Sequence, residues 1–281
     1  MNRSLKRWGW LFTGPTVFAF MIGFVVPFVL GIYLSFTEFT TVTRSEWVGL
    51  KNFVRIWGDS TFTHSLWYTA LYAVVTTVII NILAFAIAYM LVKAIKGRNI
   101  FRSVFFMPNL IGGIVLGYIW LLLLNGILSH WARSITFSGT YGFWGLVIVV
   151  CWQQIGYMMV IYIAGLQSIP TDVIEAAKVD GANNRQILNK VIIPLVMPSV
   201  TVCTFLTLTN GFKMFDQNLA LTNGAPSRQS ELLALNIFNT FYGRPGFEGV
   251  GQAKAVVFTI LVAAIALAQN WFVRSKESSN D

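Results

Sequence analysis

Residues 168–194 read SIPTDVIEAAKVDGANNRQILNKVIIP, a polar and charged stretch set between two long apolar runs. Pro170 fits the end of one helix or the first turn of the next, because proline disfavours helix at the residue before it and is tolerated at a helix start. Asp172, followed three positions on by Glu175, has the spacing of a capping box, with Asp in place of the usual Ser or Thr. Val173, Ile174, Ala177 and Val179 then mark the apolar stripe of a short helix. Gly181 closes it, since glycine most readily takes the left-handed conformation that ends helices. Ile187, Leu188, Val191 and Ile192 form a second amphipathic stretch running into Pro194. The expectation is two short helices hinged at Gly181 and projecting from a membrane. The small pair Ala176-Ala177 lets a partner surface approach closely.

The neighbouring runs make this a loop between spans. A helix needs about 20 apolar residues to cross a hydrocarbon core about 30 Å thick. Six segments qualify, at about Trp10–Phe36, Leu66–Val92, Ser103–Leu124, Gly142–Leu166, Leu195–Phe215 and Ala253–Val273. None alternates cleanly, as the strands of a membrane barrel would. Of the 281 residues 56% are apolar and 11% charged, against about 25% charged in a soluble domain. The fold expected is an all-α membrane protein, one polytopic domain over residues 1–281. Arg3, Lys6 and Arg7 before the first span resemble the charged end of a signal peptide. The apolar stretch that follows is longer than the usual core of about 7–15 residues and no A-x-A site comes after it, so it reads as an uncleaved span. Cys151 and Cys203 lie inside apolar runs and read as small core residues.

The net charge of +9 is explained by topology. An even number of spans puts both termini on one side. That side carries Arg3, Lys6, Arg7, Lys93, Lys96, Arg98, Arg102, Lys178, Arg185, Lys190, Arg274 and Lys276, 12 of the 20 basic residues. The opposite side carries seven, Arg44, Lys51, Arg55, Arg133, Arg228, Arg244 and Lys254, over longer loops. The positive-inside bias places both termini in the cytoplasm, and nucleic acid is not needed to account for the charge.

Catalytic signatures do not appear. No G-x-x-x-x-G-K-[ST] loop exists for ATP phosphates. Gly249-Val250-Gly251 opens a dinucleotide-like pattern, but Lys254 stands where its third glycine belongs. His64 and His130 are far apart in outer loops and read as solvated side chains, not metal ligands. No cofactor and no metal is expected in this chain.

Glu175-Ala176-Ala177, then Gly181, then Val191-x-Ile193-Pro194 resembles the E-A-A-x3-G-x9-I-x-L-P signature of bacterial ABC-importer membrane subunits. Val191 and Ile193 depart from it conservatively. Ile169-Pro170, Asp180-Gly181-Ala182 and Phe215-Asp216 ahead of Leu221-Thr222-Asn223-Gly224-Ala225-Pro226 are similar to the maltose-type sugar-uptake permeases, with Ala225 replacing a glycine of their L-T-x-G-G-P. Pro108 and Gly126 also fit. The likeness covers Trp10 to Arg274 and is to the shorter members of that family. It implies a type I ABC-importer permease of the bacterial inner membrane. Its partners would be a second, similar permease, two cytoplasmic ATPase subunits holding ATP and Mg²⁺, and an external solute-binding protein. It also implies that the loop is the coupling element, with Glu175, Ala176, Ala177, Asp180 and Gly181 facing the ATPase. Glu175 would supply the charge for that contact and Gly181 the angle.

A permease must hold a polar solute at membrane depth, where polar side chains are otherwise costly. Gln153, Gln154 and Tyr157 lie about a dozen residues into the fourth span, and Gln153 and Tyr157 share a face. Amide groups suit hydroxyls and an aromatic ring suits a sugar face, and Tyr157 matches a family binding position. The alternative for such residues is bonding between helices, worth about 0.6 kcal/mol each. Thr207, Asn210 and Phe212 are further candidates in the fifth span. Lys213, about 27 Å along that span, reads as snorkelling to the outer interface or pairing with Asp216. Asn81 reads as an inter-helix bond, and Gly113-x-x-x-Gly117 as a helix-packing site.

The function expected is the permease subunit of a sugar, in particular oligosaccharide, importer. A permease for a glycerol-phosphate-like polyol is the alternative within the family. A secondary transporter would need ion-coupling carboxylates, and no Asp or Glu lies in the spans before Asp216. A membrane enzyme would need a clustered acid, base or metal set, and none is evident.

Overall fold

A computed structural model describes residues 3–41, 44–93 and 97–277; Lys96, one of the charges counted above, lies outside them. In chain order, α1 (Arg3–Phe20), α2 (Val26–Ser35), a hairpin of β1 (Thr37–Thr41) and β2 (Arg44–Trp47), and α3 (Lys51–Trp57) precede α4 (Ser60–Val92). Then follow α5 (Arg98–Phe106), α6 (Gly113–Leu128), α7 (Gly139–Gln167), and the loop helices α8 (Thr171–Val179) and α9 (Asn184–Ile187). The chain continues through α10 (Ile193–Phe212), α11 (Asp216–Leu221), α12 (Leu233–Gly243) and α13 (Glu248–Glu277). Among the described residues six helical segments are long and apolar enough to cross a membrane, the number expected. Two compact units result, Met1–Phe62 with Ile237–Leu261, and Thr63–Asn236 with Val262–Asp281.

In the first unit, α1 passes into α2 through a wide helical turn at Met21–Val25. The N–H of Val26 bonds to the carbonyl of Met21, five residues back, immediately before Pro27. Proline supplies no donor to the ladder, and a locally widened turn rearranges the bonds around it. Asn52, buried on α3, donates to the carbonyls of Ser35 (3.0 Å) and Thr37 (2.8 Å) and so ties α3 to the base of the hairpin.

The second unit is organised around α7, the most buried of the six segments. Its Leu146, Val150, Met158 and Tyr162 pack with Tyr72, Ile80 and Ala84 of α4 and with Val196 and Cys203 of α10. Cys151 and Cys203 are buried free thiols, as core residues should be. Asn81 donates to Thr207 Oγ1 (3.0 Å) and accepts from the Tyr162 hydroxyl (2.6 Å), joining three spans as an inter-helix bond. Gly113 and Gly117 are packing positions, but their partner is the short helix α11 and not another span. A Cβ on either would stand 2.6 Å from the Cβ of Asp216 or Ala220.

Span two starts six residues earlier than expected, at Ser60, and span six five earlier, at Glu248; two other starts differ more. The third span begins at Gly113 and not at Ser103. Residues 98–106 form the separate helix α5, and after a tight turn at Met107–Leu110 the backbone is extended at Ile111 and Gly112. Ile100, Phe101, Val104 and Phe105 share α5 with Arg98 and Arg102, so it is amphipathic; a sum of hydropathy merges it with the span, whereas Pro108 and the Gly112-Gly113 pair break the helix between them. The fifth segment runs Asn184–Phe212, starting inside the polar loop and stopping before Lys213. Here too a wide turn, Leu188–Ile192, precedes a proline, with Ile193 N–H bonded to Leu188 just before Pro194.

Candidate functional site

The loop after α7 is built from its end signals. α8 starts at Thr171 behind Pro170 with no side-chain cap, and Asp172 sits in its first turn, where an acidic group suits the helix dipole. The expected Asp172/Glu175 capping box is therefore absent. A capping box does form at the next helix. Gln186 N–H donates to Asn183 Oδ1 (2.9 Å) and Asn183 N–H to Gln186 Oε1 (2.8 Å). Between them Gly181 has φ +78°, as its position requires. Gly181 N–H bonds to Lys178 O (3.0 Å) and Ala182 N–H to Ala177 O (3.0 Å), the paired bonds of a Schellman ending.

This geometry sorts the faces of α8. Ile174, Ala177 and Ala182 pack against the core of their own unit. Glu175, Ala176 and Asp180 are exposed, and Val179 is 87% exposed. Of the small pair only Ala176 is outward; Ala177, about 100° round the helix, belongs to the internal packing. Glu175, Ala176 and Val179 leave one acidic group beside apolar and small side chains on an outward surface. Nothing within 4 Å would meet a Cβ on Gly181, so that position is constrained by its backbone and not by crowding.

Farther along the chain, Gln154 of α7 and Asn210 of α10 line one cavity of about 250 Å³ with Lys213, Met214, Phe215, Asp216 and Gln217. Gln154 is 9% exposed, and its Oε1 has no hydrogen-bond partner. A buried unpaired carbonyl oxygen carries a desolvation cost of about 1–3 kcal/mol unless a donor reaches it. The remaining candidates divide differently. Gln153 donates to Ile111 O (3.1 Å) and accepts from Gln217 Nε2 (2.6 Å), so its amide joins α7 to the break before α6 and to α11. Thr207 is buried and bonded to Asn81 and to the Cys203 carbonyl. Phe212 is buried at the end of α10. Neither Thr207 nor Phe212 lines the cavity; Thr207 is taken up by its bond to Asn81. Tyr157 is exposed on α7 outside it. No ion pair joins Lys213 to Asp216 among the described residues. Gln217 was missed from sequence because it lies beyond the end of the span; the polar run Asp216-Gln217-Asn218 directly after an apolar helix was its one signal. His64 is exposed, with Nε2 3.0 Å from Gln229 O, and no group of three metal-ligating side chains exists among the described residues.

Comparison with known proteins bears on the family and the fold. A probable starch degradation products transport system permease of Thermoanaerobacterium thermosulfurigenes is 43% identical over 278 residues, covering 96% of this chain and 95% of that protein. The multiple sugar-binding transport system permease of Streptococcus mutans is 29% identical, with 94% of each chain covered. In fold, the chain superposes on a chain of a bacterial ABC transporter involved in the import of the acidic polysaccharide alginate with a TM-score of 0.82 at 18% identity, over 97% of this chain and 98% of that one. Residues 94–278 match the model of the binding-protein-dependent transport system inner membrane component. With more than half its length inside that model and a relative above two-fifths identical end to end, the chain belongs to the family of binding-protein-dependent transport inner membrane components.

Proposed function

We propose that this chain is the permease subunit of an ATP-driven sugar importer, with oligosaccharides as its solutes. The observation that carries the reading is the 43% identity, over nearly the whole of both chains, to a permease for starch degradation products. In the bacterial inner membrane it would form half of the pathway beside a second permease. An external solute-binding protein would deliver the sugar, and two cytoplasmic ATPase subunits would hold the ATP and Mg²⁺. The chain itself performs no covalent chemistry. Its α8 presents Glu175, Ala176 and Val179, with Asp180 just after them, to an ATPase subunit, and Gly181 sets the direction in which that face points. ATP-driven closure of the ATPase pair would move the loop and, through α7 and α10, the cavity. At the cavity, the unpaired Gln154 oxygen takes a sugar hydroxyl as donor, and Asn210 offers both a donor and acceptors.

Lys213 on the cavity wall favours one second reading, an anionic solute such as a phosphorylated polyol. Purifying the tagged chain in mild detergent should bring down the second permease, the ATPase and the binding protein. Thermal stabilisation of that binding protein by maltooligosaccharides supports the sugar reading. Stabilisation by glycerol phosphate alone overturns it in favour of the second.

A further inference from the structure

A groove of about 580 Å³ lies between the ends of α4 and α7 and the loop helices, all within the second unit. Its floor is aliphatic, formed by Leu166, Ile169, Ile174 and Ile187. Around it stand Lys93, Lys178 and Arg185. No Asp or Glu lines it, and none of the three cations has an acidic partner among the described residues. Lys93 rests over the ring of Tyr89, 4.7 Å from its centroid, which holds its charge at the end of the α4 span. The groove therefore joins two chemistries, a hydrocarbon surface continuous with two membrane-spanning helices and a concentration of positive charge at their ends.

We propose that this groove seats an anionic phospholipid, its phosphate between Lys93, Lys178 and Arg185 and its upper acyl chain on the aliphatic floor. A soluble anion would use the cations and leave the floor wet. An amphiphile covers both. Basic clefts between helix ends at the inner surface of a membrane suit acidic head groups. The bound lipid would also brace α8 from behind, since Ile174 and Lys178 belong to that helix. The proposal goes beyond the sugar-importer reading and does not depend on which solute is carried.

The test uses the intact complex, reconstituted in phosphatidylcholine with and without phosphatidylglycerol and then extracted for quantification of co-purifying lipid. The wild-type complex should be enriched in phosphatidylglycerol over the bulk bilayer. Lys178→Gln and Arg185→Gln should each lower that enrichment roughly five-fold, the equivalent of about 1 kcal/mol per charge. Lys178→Arg should retain it, and Lys93→Gln, outside the loop, should lower it with the loop sequence unchanged. Inorganic phosphate added to the detergent-purified complex should neither stabilise it nor displace the lipid. Absence of enrichment in the wild type, or equal enrichment in all the variants, overturns the proposal. So does release of the ATPase subunits by the variants with the lipid still held, which would assign the groove to a protein contact.

Discussion

Lys254 Nζ lies 2.8 Å from Asp59 Oδ2 and 2.8 Å from Thr240 Oγ1, and the Lys254 side chain is wholly buried. Arg244 Nη1 approaches the same Asp59 oxygen at 3.9 Å, and Thr61 donates to Asp59 Oδ1 from its backbone (3.0 Å) and hydroxyl (2.7 Å). Lys254 reads from sequence as one more outer-side charge. In the fold it binds the start of α13 to the residue just before α4, inside the first unit.

The pair has a pH signature. Burial raises the Asp59 carboxyl, but the hydrogen bond from Lys254, followed by those from Thr61, outweighs it, and the pKa falls from 3.8 to about 2. A carboxyl lowered on folding contributes its stability above the unfolded value and loses it as pH falls through the folded one. The contribution is thus complete above about pH 4 and lost between about pH 4 and pH 2. Thermal unfolding of the purified protein should show the wild type losing stability over that window more steeply than Asp59→Asn. At neutral pH, Lys254→Met should cost about 2–3 kcal/mol. That is less than the loss of a fully buried partner, about 3–5 kcal/mol, because Asp59 is 18% exposed and keeps Arg244 and Thr61.

Gly156 sits where the backbone of α5 crosses α7, and a Cβ there would run into the carbonyl of Phe105. The obstacle is backbone, so no rotamer change relieves it. Gly156→Ala should displace α5 and lower stability by about 1–3 kcal/mol, the range for forcing an atom into a packed contact. Gly126→Ala meets nothing within 4 Å and should leave the unfolding temperature unchanged or slightly raised, as expected for a helical glycine replaced by alanine. Equal unfolding temperatures for the two variants would contradict the close crossing.

Legibility tracked the range of the interaction concerned. Gly181 announces itself because a helix stop depends on one residue's own φ. Gly113 and Gly117 announce a packing face because their spacing is local, yet their partner α11 was not legible: it is a six-residue helix a hundred positions on, and no pattern in Asp216–Leu221 points back to α6. The capping box was read at Asp172 and Glu175 although Asn183 and Gln186 have the same spacing, since pattern alone does not say where Pro170 starts the helix. Gln153 and Gln154 are adjacent amides, one bonded on both sides and the other with an unpaired oxygen. Only the positions of Ile111 and Gln217, 42 and 64 residues away, separate them.

The α8 loop is expected to act through its outward face. Glu175→Lys reverses the acidic group on that face. When one member of a shielded interfacial pair is lost the usual cost is about 2–5 kcal/mol. In Gly181→Val the Cβ meets nothing within 4 Å, but a β-branched residue must be held at φ +78°, costing about 1–2 kcal/mol and turning the helix. Both variants should insert and pair with the second permease, yet lose solute-stimulated ATP hydrolysis together with uptake and retain less ATPase on purification. Gly181→Asn, which tolerates the left-handed conformation, should recover most of the function. Normal ATPase retention and transport in both Glu175→Lys and Gly181→Val would remove this loop from coupling.

The adjacent glutamines give the sharpest separation between solute contact and helix bonding. Gln154 has an unpaired oxygen in the cavity beside Asn210, so shortening it removes no internal bond. Gln154→Ala and Asn210→Ala should each raise the sugar concentration needed for half-maximal uptake several-fold, corresponding to one lost hydrogen bond of about 0.5–1.5 kcal/mol. The unfolding temperature of the complex should stay near that of the wild type. Gln153→Leu should do the reverse. It deletes a donor to Ile111 and an acceptor for Gln217, leaving a buried amide on α11 unpaired at about 1–3 kcal/mol. Its signature is a lowered unfolding temperature, with uptake falling in proportion to the amount of assembled complex. Tyr157→Ala tests the next turn of the same face of α7, where the ring is exposed outside the cavity. With the solute contact at the cavity lined by Gln154 and Asn210, it should leave half-saturation near the wild-type value. Uptake kinetics and thermal unfolding measured on the same four preparations decide the matter. A Gln153→Leu complex that is fully stable but defective in half-saturation would move the solute contact from Gln154 to Gln153.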